Sequence, residues 1–379
     1  MTSETLSAIN VGTEMLGCVW PCLWSAILAG VLLLVPASFS RAAEPSARFP
    51  GKTWEKKTPG EVGLDETKLN AFIKRLTTPA KKRSDGPTKD SPDFCGCVIK
   101  DGYMVASWGE PSSKFSWFSA SKPALSTLLF FAIQEGKLKG VDDKVADWGW
   151  KLSEKDKPMT FAHLANQTSG YTFKELPGAA WAYNDYAILL YASTLDRVFG
   201  GKGLNEPAAA LFKDLQLEDG DSQKGYGVVT SPRDFARIGW FWMHKGNWKG
   251  RQVLGRDVFE RYMKPQVPPD LPRSGHTEPD DYLGIGTCGG GNNQCQFGPG
   301  LYGFNWWFNA PIPKTGGLYW PAAPPDTFAA LGWGGNYMIM IPSRNLLVAA
   351  RGYWGPEDTG DPNSRFNENL KLLVDAVKE

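Results

Sequence analysis

The stretch FSWFSASKPALSTLLFFAIQEGKL, residues 115–138, sets Ser119 and Lys122 three positions apart at the start of a long apolar run. A serine hydroxyl is a poor nucleophile until a neighbour takes its proton. Residues i and i+3 of a helix share a face, so an amine at position 122 reaches a hydroxyl at position 119. Burial disfavours the charged ammonium and turns such a lysine into a base. A serine at a helix N-terminus also meets free backbone N–H groups and the positive end of the helix dipole. Both favour the oxyanion formed in acyl transfer. Among all the serines of the chain, Ser119 alone has a lysine three residues on. The chemistry expected is covalent acyl transfer.

The elements that must hold these residues can be read around them. Ala124, Leu125, Leu128, Leu129, Ala132 and Ile133 recur at helical spacing and predict a helix with a buried face, with Pro123 tolerated in its first turn. FCGCVIKDGYMVASWGE predicts two strands joined at Asp101-Gly102. DETKLNAFIKRLTT predicts a helix capped by Asp65. MTFAHLANQTSGY, YNDYAILLYASTLDRVFG and SPRDFARIGWFWMHKG carry helical spacing, whereas GLYGFNWWFN, TFAALGWGGNYMIMIP and NLLVAARGYW read as strands before a closing helix, ENLKLLVDAVK. The expected class is α+β, an antiparallel sheet flanked by helices plus a mostly helical lobe. Its boundaries would be an α/β lobe over 44–120 and 266–379, a helical lobe over about 121–265, and a site in the cleft between them.

Composition narrows the function. The 379 residues carry 41 Lys and Arg against 40 Asp and Glu, which speaks against a nucleic-acid partner. VWPCLWSAILAGVLLLVPASF, followed by SRAAEP, reads as an export signal cleaved near Ala42 or Ala43, so that 1–43 is a leader and the mature chain is periplasmic or extracellular. An uncleaved membrane anchor is the alternative, and only then would the protein touch a membrane. Cys288 and Cys295 bound a loop able to close as a disulfide, while Cys95 and Cys97 are expected on opposite faces of a strand. Three histidines, His163, His244 and His276, argue against a metal centre; His163 suits a structural hydrogen bond and the other two the surface. No cofactor is expected. The GxSxG elbow of another serine-hydrolase class is absent.

With its neighbours included, the sequence resembles the serine β-lactamase and penicillin-binding-protein superfamily, in its esterase-like and oligoamide-hydrolase-like branches. Ser119-x-x-Lys122 is similar to the first motif of that superfamily. GCVIKDGYMVASWG resembles its opening hairpin, EGKLKGVDDKVADW the segment after the nucleophile helix, MTFAHLANQTSGY its T-x-x-H-L-x-x-x-T-S-G stretch, and GYGVVTSPRDFARIGWFWMHKG a later helix. The resemblance covers nearly all of the chain after the leader. It implies a β-lactamase/transpeptidase-like fold and a second motif, Tyr-x-Asn, in WAYNDYAILL. There Tyr183 would share proton transfer with Lys122, with Tyr186 the competing phenol, and Asp185 stands where asparagine is usual.

The third motif, normally Lys-Thr-Gly or His-x-Gly, falls on Ala330-Leu331-Gly332, followed by Trp333-Gly334-Gly335, which looks like the Trp-Gly-Gly of esterase-like members. By this resemblance the N–H groups of Ser119 and Trp333 form an oxyanion hole, and Gly332 and Gly334 let substrate approach the backbone. Ala330 supplies no cation for a substrate carboxylate, leaving Arg344 and Arg351 as substitutes. The expected function is therefore an exported serine hydrolase acting through an acyl-enzyme on a small ester, amide or short peptide. The alternatives are a β-lactamase or D-amino-peptide carboxypeptidase, and a catalytically silent peptidoglycan-binding module. Trp117, Trp306 and Trp307 are open between core packing and an aromatic pocket wall.

Overall fold

The computed structural model describes residues 47–78, 94–220, 222–224, 227–275, 278–288, 298–313, 315–355 and 364–378. The leader, His276 and Cys295 lie outside these residues. Among the described residues no helix is long and apolar enough to cross a membrane.

Helix α1 (Glu66–Thr77) starts where Asp65 accepts the Lys68 N–H at 3.0 Å, the cap its sequence predicts. Strands β1 (Gly96–Lys100) and β2 (Tyr103–Trp108) form the expected hairpin, with Asp101 and Gly102 both at positive φ. A short β3 (Phe115–Ser116) leads through a 3-10 turn, Phe118–Ser121, into α2 (Lys122–Gln134). The middle of the chain supplies α3 (Phe161–Ala165), α4 (Asp185–Val198) and α5 (Asn205–Phe212), the hairpin of β4 (Ser222–Lys224) and β5 (Gly227–Thr230), then α6 (Pro232–Met243). A two-residue hairpin, β6 (Asn247–Trp248) with β7 (Arg251–Gln252), precedes α7 (Arg256–Tyr262). The last third gives β8 (Tyr302–Gly303), β9 (Trp306–Phe308), β10 (Phe328–Gly332), β11 (Asn336–Ile341), β12 (Leu346–Arg351) and α8 (Arg365–Asp375).

Seven strands join in one antiparallel sheet, ordered β2-β1-β12-β11-β10-β9-β8. Strand periodicity sorts the side chains of β12 into two cores. Val348 and Ala350 join Leu69, Phe72, Leu370 and Leu373 of α1 and α8, while Leu347 and Ala349 face the cluster holding Phe235 and Ile238 of α6. The sheet is thus covered on both faces. Helix α2 packs against α4 and α5, and α3 packs on α4, forming a helical region.

Three local expectations change. Cys95 and Cys97 sit in the same core, because residues two apart in a strand share a face. Helix α2 is buried almost all round rather than along one stripe, being wedged between the sheet side and α4 and α5. His244 is half-buried, its ring against Phe49 and Trp240 and its Nδ1 2.7 Å from the Trp240 carbonyl.

Gly239 lets α6 lie close on the sheet: a Cβ there would come within 2.3 Å of Met338 Sδ and 2.6 Å of Leu347 Cδ1. Overfilling a packed core of this kind costs about 1–3 kcal/mol. We expect Gly239→Val to lower the thermal unfolding midpoint by several degrees. Gly140→Ala, which meets open space, should leave it unchanged. Equal midpoints for the two variants would contradict the packing described.

Candidate active site

Trp117 fixes the Ser119 turn from behind. It is fully buried, stacks on Phe235 at 4.3 Å, and donates through Nε1 to the Thr230 carbonyl at 3.0 Å and through its backbone N–H to the Val228 carbonyl. Phe118 is then forced to φ 49°, a left-handed conformation costly for a residue with a Cβ. Its N–H is held by Ser116 Oγ at 3.3 Å. The turn that follows is 3-10, in which side chains at i and i+3 eclipse each other. Ser119 and Lys122 are therefore brought together locally, with Lys122 Nζ donating to Ser119 Oγ at 2.9 Å.

Lys122 is 1% exposed, and its ammonium group reaches two further oxygens from the start of α4. Tyr183 Oη lies at 2.7 Å and Asp185 Oδ1 at 2.8 Å. Three N–H donors thus meet three oxygens in a nearly dry pocket. Of the two candidate phenols, the structure places Tyr183 against the lysine.

The start of α4 is set by Asn184, between those two residues. Its Oδ1 caps the N–H groups of Tyr186 and Ala187, its Nδ2 donates to the Tyr171 carbonyl at 2.7 Å, and its own N–H donates to Gln167 Oε1 at 2.8 Å. Gln167 and Tyr171 flank the Thr-Ser-Gly of residues 168–170, so that loop, more than the short α3, holds the tyrosine turn in place. Asp185 falls in the first helical turn, where the dipole favours a carboxylate. His163 belongs to the frame as well: its Nδ1 completes the cap of α3 with Thr160, and burial lowers its proton affinity.

Apolar walls close the remaining sides. The Trp307 ring stacks on Tyr183 at 6.0 Å, Tyr302 meets it edge-on at 6.3 Å, and burial pushes the Tyr302 phenol up so that it stays neutral. Trp307 thus borders the site, while Trp117 and Trp306 are core residues. Sequence reasoning missed Phe118 and Tyr302. No motif marks either one, and their roles come from a backbone turn and a sheet edge.

The third strand arrives from β10. Gly332 is where it touches the Ser119 turn: a Cβ would meet the Trp117 carbonyl at 2.3 Å and Ala120 N at 2.9 Å. Beyond it, Gly334 and Gly335 take positive φ, and Asn336 Nδ2 donates to the Trp333 carbonyl at 2.6 Å. Among the described backbone hydrogen bonds, neither the Ser119 nor the Trp333 N–H has an acceptor. The Trp333 side chain is 55% exposed and meets Phe118, 37% exposed, edge-to-face at 5.5 Å. Of the two arginines named as substitutes for the missing cation, Arg351 is buried beside Phe115. Arg344 lies in the exposed turn at the opposite end of β11, about 17 Å along the strand.

The family model for beta-lactamase matches residues 96–351. The chain belongs to that family. Solved structures agree at the level of fold. A beta-lactamase from Mycobacterium bovis is 18% identical, with 75% of this chain and 93% of that one covered at a TM-score of 0.52. A penicillin-binding-protein homologue from Caulobacter crescentus is 14% identical, covering 83% and 99% at 0.55. EstCE1, a hydrolase with promiscuous acyltransferase activity, is 13% identical, covering 73% and 93% at 0.53. No curated protein matches the sequence. The beta-lactamase-family assignment supports a hydrolase, and the solved structures bear out the expected fold class.

The close approach at Gly332 gives a test. Gly332→Ala must push the end of β10 away from the Ser119 turn. Losing one oxyanion donor typically costs about 10²–10³-fold in rate. We expect reaction of Ser119 with a fluorophosphonate to slow by about that factor, with the unfolding midpoint falling only a few degrees. Unchanged labelling would mean that β10 takes no part in the site.

Proposed function

We propose that this family member is a serine hydrolase that cleaves an ester or amide through an acyl-enzyme on Ser119. The observation that carries the reading is the contact of Lys122 Nζ with both Ser119 Oγ and Tyr183 Oη. Ser119 Oγ attacks the carbonyl carbon as its proton passes to Lys122, and Lys122 with Tyr183 delivers a proton to the leaving group. The N–H groups of Ser119 and Trp333 receive the oxyanion, and water then releases the acyl group. The same chain carries the export expectation, which we retain as part of the proposal from the leader sequence alone.

The substrate class follows from the mouth of the site. Exposed Phe118, next to Ser119 in the chain, meets exposed Trp333 edge-to-face, and aromatic pairs of this kind bind flat apolar groups by stacking. Arg344 is remote along the strand and Arg351 is buried, so neither offers an exposed cation to a carboxylate. Both points favour a neutral ester or amide with an apolar or aromatic group over a β-lactam or a D-amino-peptide.

Intact-mass measurement after incubation with p-nitrophenyl acetate should show turnover or a Ser119 acetyl adduct, absent in Ser119→Ala. Folded Lys122→Met should lose acylation; near-wild-type turnover in that variant would place the base elsewhere. A stable penicilloyl adduct instead would move the protein to the penicillin-binding side. For the mouth, Phe118→Ala and Trp333→Ala should each raise KM about 5–10-fold for phenyl-bearing esters and little for acetate esters, about 1 kcal/mol per ring contact. Equal effects on both substrates would remove the rings from recognition.

A further inference from the structure

The contacts of Lys122 contain a conflict that its partner resolves. Three oxygens, one of them a carboxylate, lie within 2.9 Å of Lys122 Nζ, a setting that suits an ammonium with three N–H donors, and in that state it donates to Ser119 Oγ rather than accepting from it. Before it can take the serine proton it must give one away. In their neutral forms Ser119 and Tyr183 have no place for it. Asp185 Oδ1, at 2.8 Å and with its side chain 9% exposed, is a carboxylate in direct contact. Moving one proton along that bond leaves a neutral amine beside a neutral carboxylic acid, with no change of net charge in a buried site.

We propose that Asp185 is a positioning residue that holds the proton of Lys122 during acylation. This rests on the serine-hydrolase reading above. As the Ser119 Oγ–carbon bond forms, the serine proton moves to Lys122 Nζ while a lysine proton moves to Asp185 Oδ1. The carbonyl oxygen gains the negative charge, the lysine stays an ammonium beside it, and the carboxyl becomes neutral. When the tetrahedral intermediate collapses, the leaving group takes a proton from Lys122 or Tyr183. Asp185 then returns its proton and the resting pair is restored. An asparagine at 185 cannot do this, and the lysine would have to lose its proton to solvent before reaction. Among the described contacts, the groups facing the pair are Ser119 from the turn before α2, Tyr183 from the loop before α4, and Tyr302 from β8, whose phenol burial keeps neutral.

The sign of one pH shift decides the matter. The rate of Ser119 labelling by a fluorophosphonate, followed against pH, should fall on the acid side, because a carboxyl that already holds a proton cannot take one from Lys122. In Asp185→Asn the block is the ammonium itself, so the acid limb should move up by at least about two pH units; the two side chains differ by about six in water. The rate at pH 7 should drop about 10²-fold. A shift downward would mean that Asp185 only strengthens proton binding by Lys122, and an unchanged limb that it lies outside the proton path; either overturns the proposal. Because a variant can fail to fold, the wild type supplies a second reading. Labelling rates in mixtures of light and heavy water should bow, as two protons move together, and a straight line overturns the relay. Failure of the underlying reading looks different: the wild type is not labelled, or Ser119→Ala labels as well as the wild type does.

Discussion

A lysine ammonium removed from water costs several kcal/mol unless charge and hydrogen bonds replace its hydration. Lys122 is in that position, and much of the surrounding structure is arranged to satisfy it. Its oxygens come from Ser119, one 3-10 turn upstream, and from Tyr183 and Asp185, more than sixty residues further on. The starts of α2 and α4 must therefore meet. The Asn184 cap, the Gln167 amide and the Thr-Ser-Gly loop hold the second of these ends, while Trp117 and β5 hold the first. Disturbing either anchor would leave a buried charge without its partners.

The apolar walls matter to the same charge. Trp307 and Tyr302 pack on Tyr183 and exclude water from one side of the lysine. Electrostatic contacts gain strength as the local dielectric falls. A short contact between Lys122 and Asp185 is worth more here than on the surface, where ion pairs such as Lys371–Asp375 contribute little. Ser119 itself is only half-buried. Its hydroxyl is partly open to solvent, while Lys122 and Asp185 behind it are buried.

What sequence shows of this site is what depends on local spacing. A spacing of three positions between Ser119 and Lys122 suffices to place them together, because one turn of either helix type aligns them. The Asp65 cap and the Asp101-Gly102 hairpin are equally local. Tyr183 and Tyr186 could not be separated in that way, since the choice turns on where α4 begins, and Asn184 settles that through loop contacts. Gly332 and Gly239 look like ordinary glycines until the opposing backbone or side chain is known. Phe118 acquires its positive φ from the anchoring of Trp117, which no periodicity reports. For Cys95 and Cys97 the two-residue strand repeat already contained the answer.

Two departures from the motifs this chain resembles act in the same electrical direction. Where related chains carry asparagine, position 185 holds a carboxylate, and where they carry a lysine in the third motif, position 330 holds a buried alanine. The first cancels the charge of Lys122, and the second removes a cation from the strand that borders the site. Among the residues of these three motifs, no net positive charge remains to draw in an anionic substrate. The steering and orientation that a cation would give must then come from shape and stacking, and the exposed edge-to-face pair of Phe118 and Trp333 stands at the entrance where that contact would be made. One consistent physical reading covers both substitutions and both rings: a neutral proton relay behind a neutral, aromatic mouth.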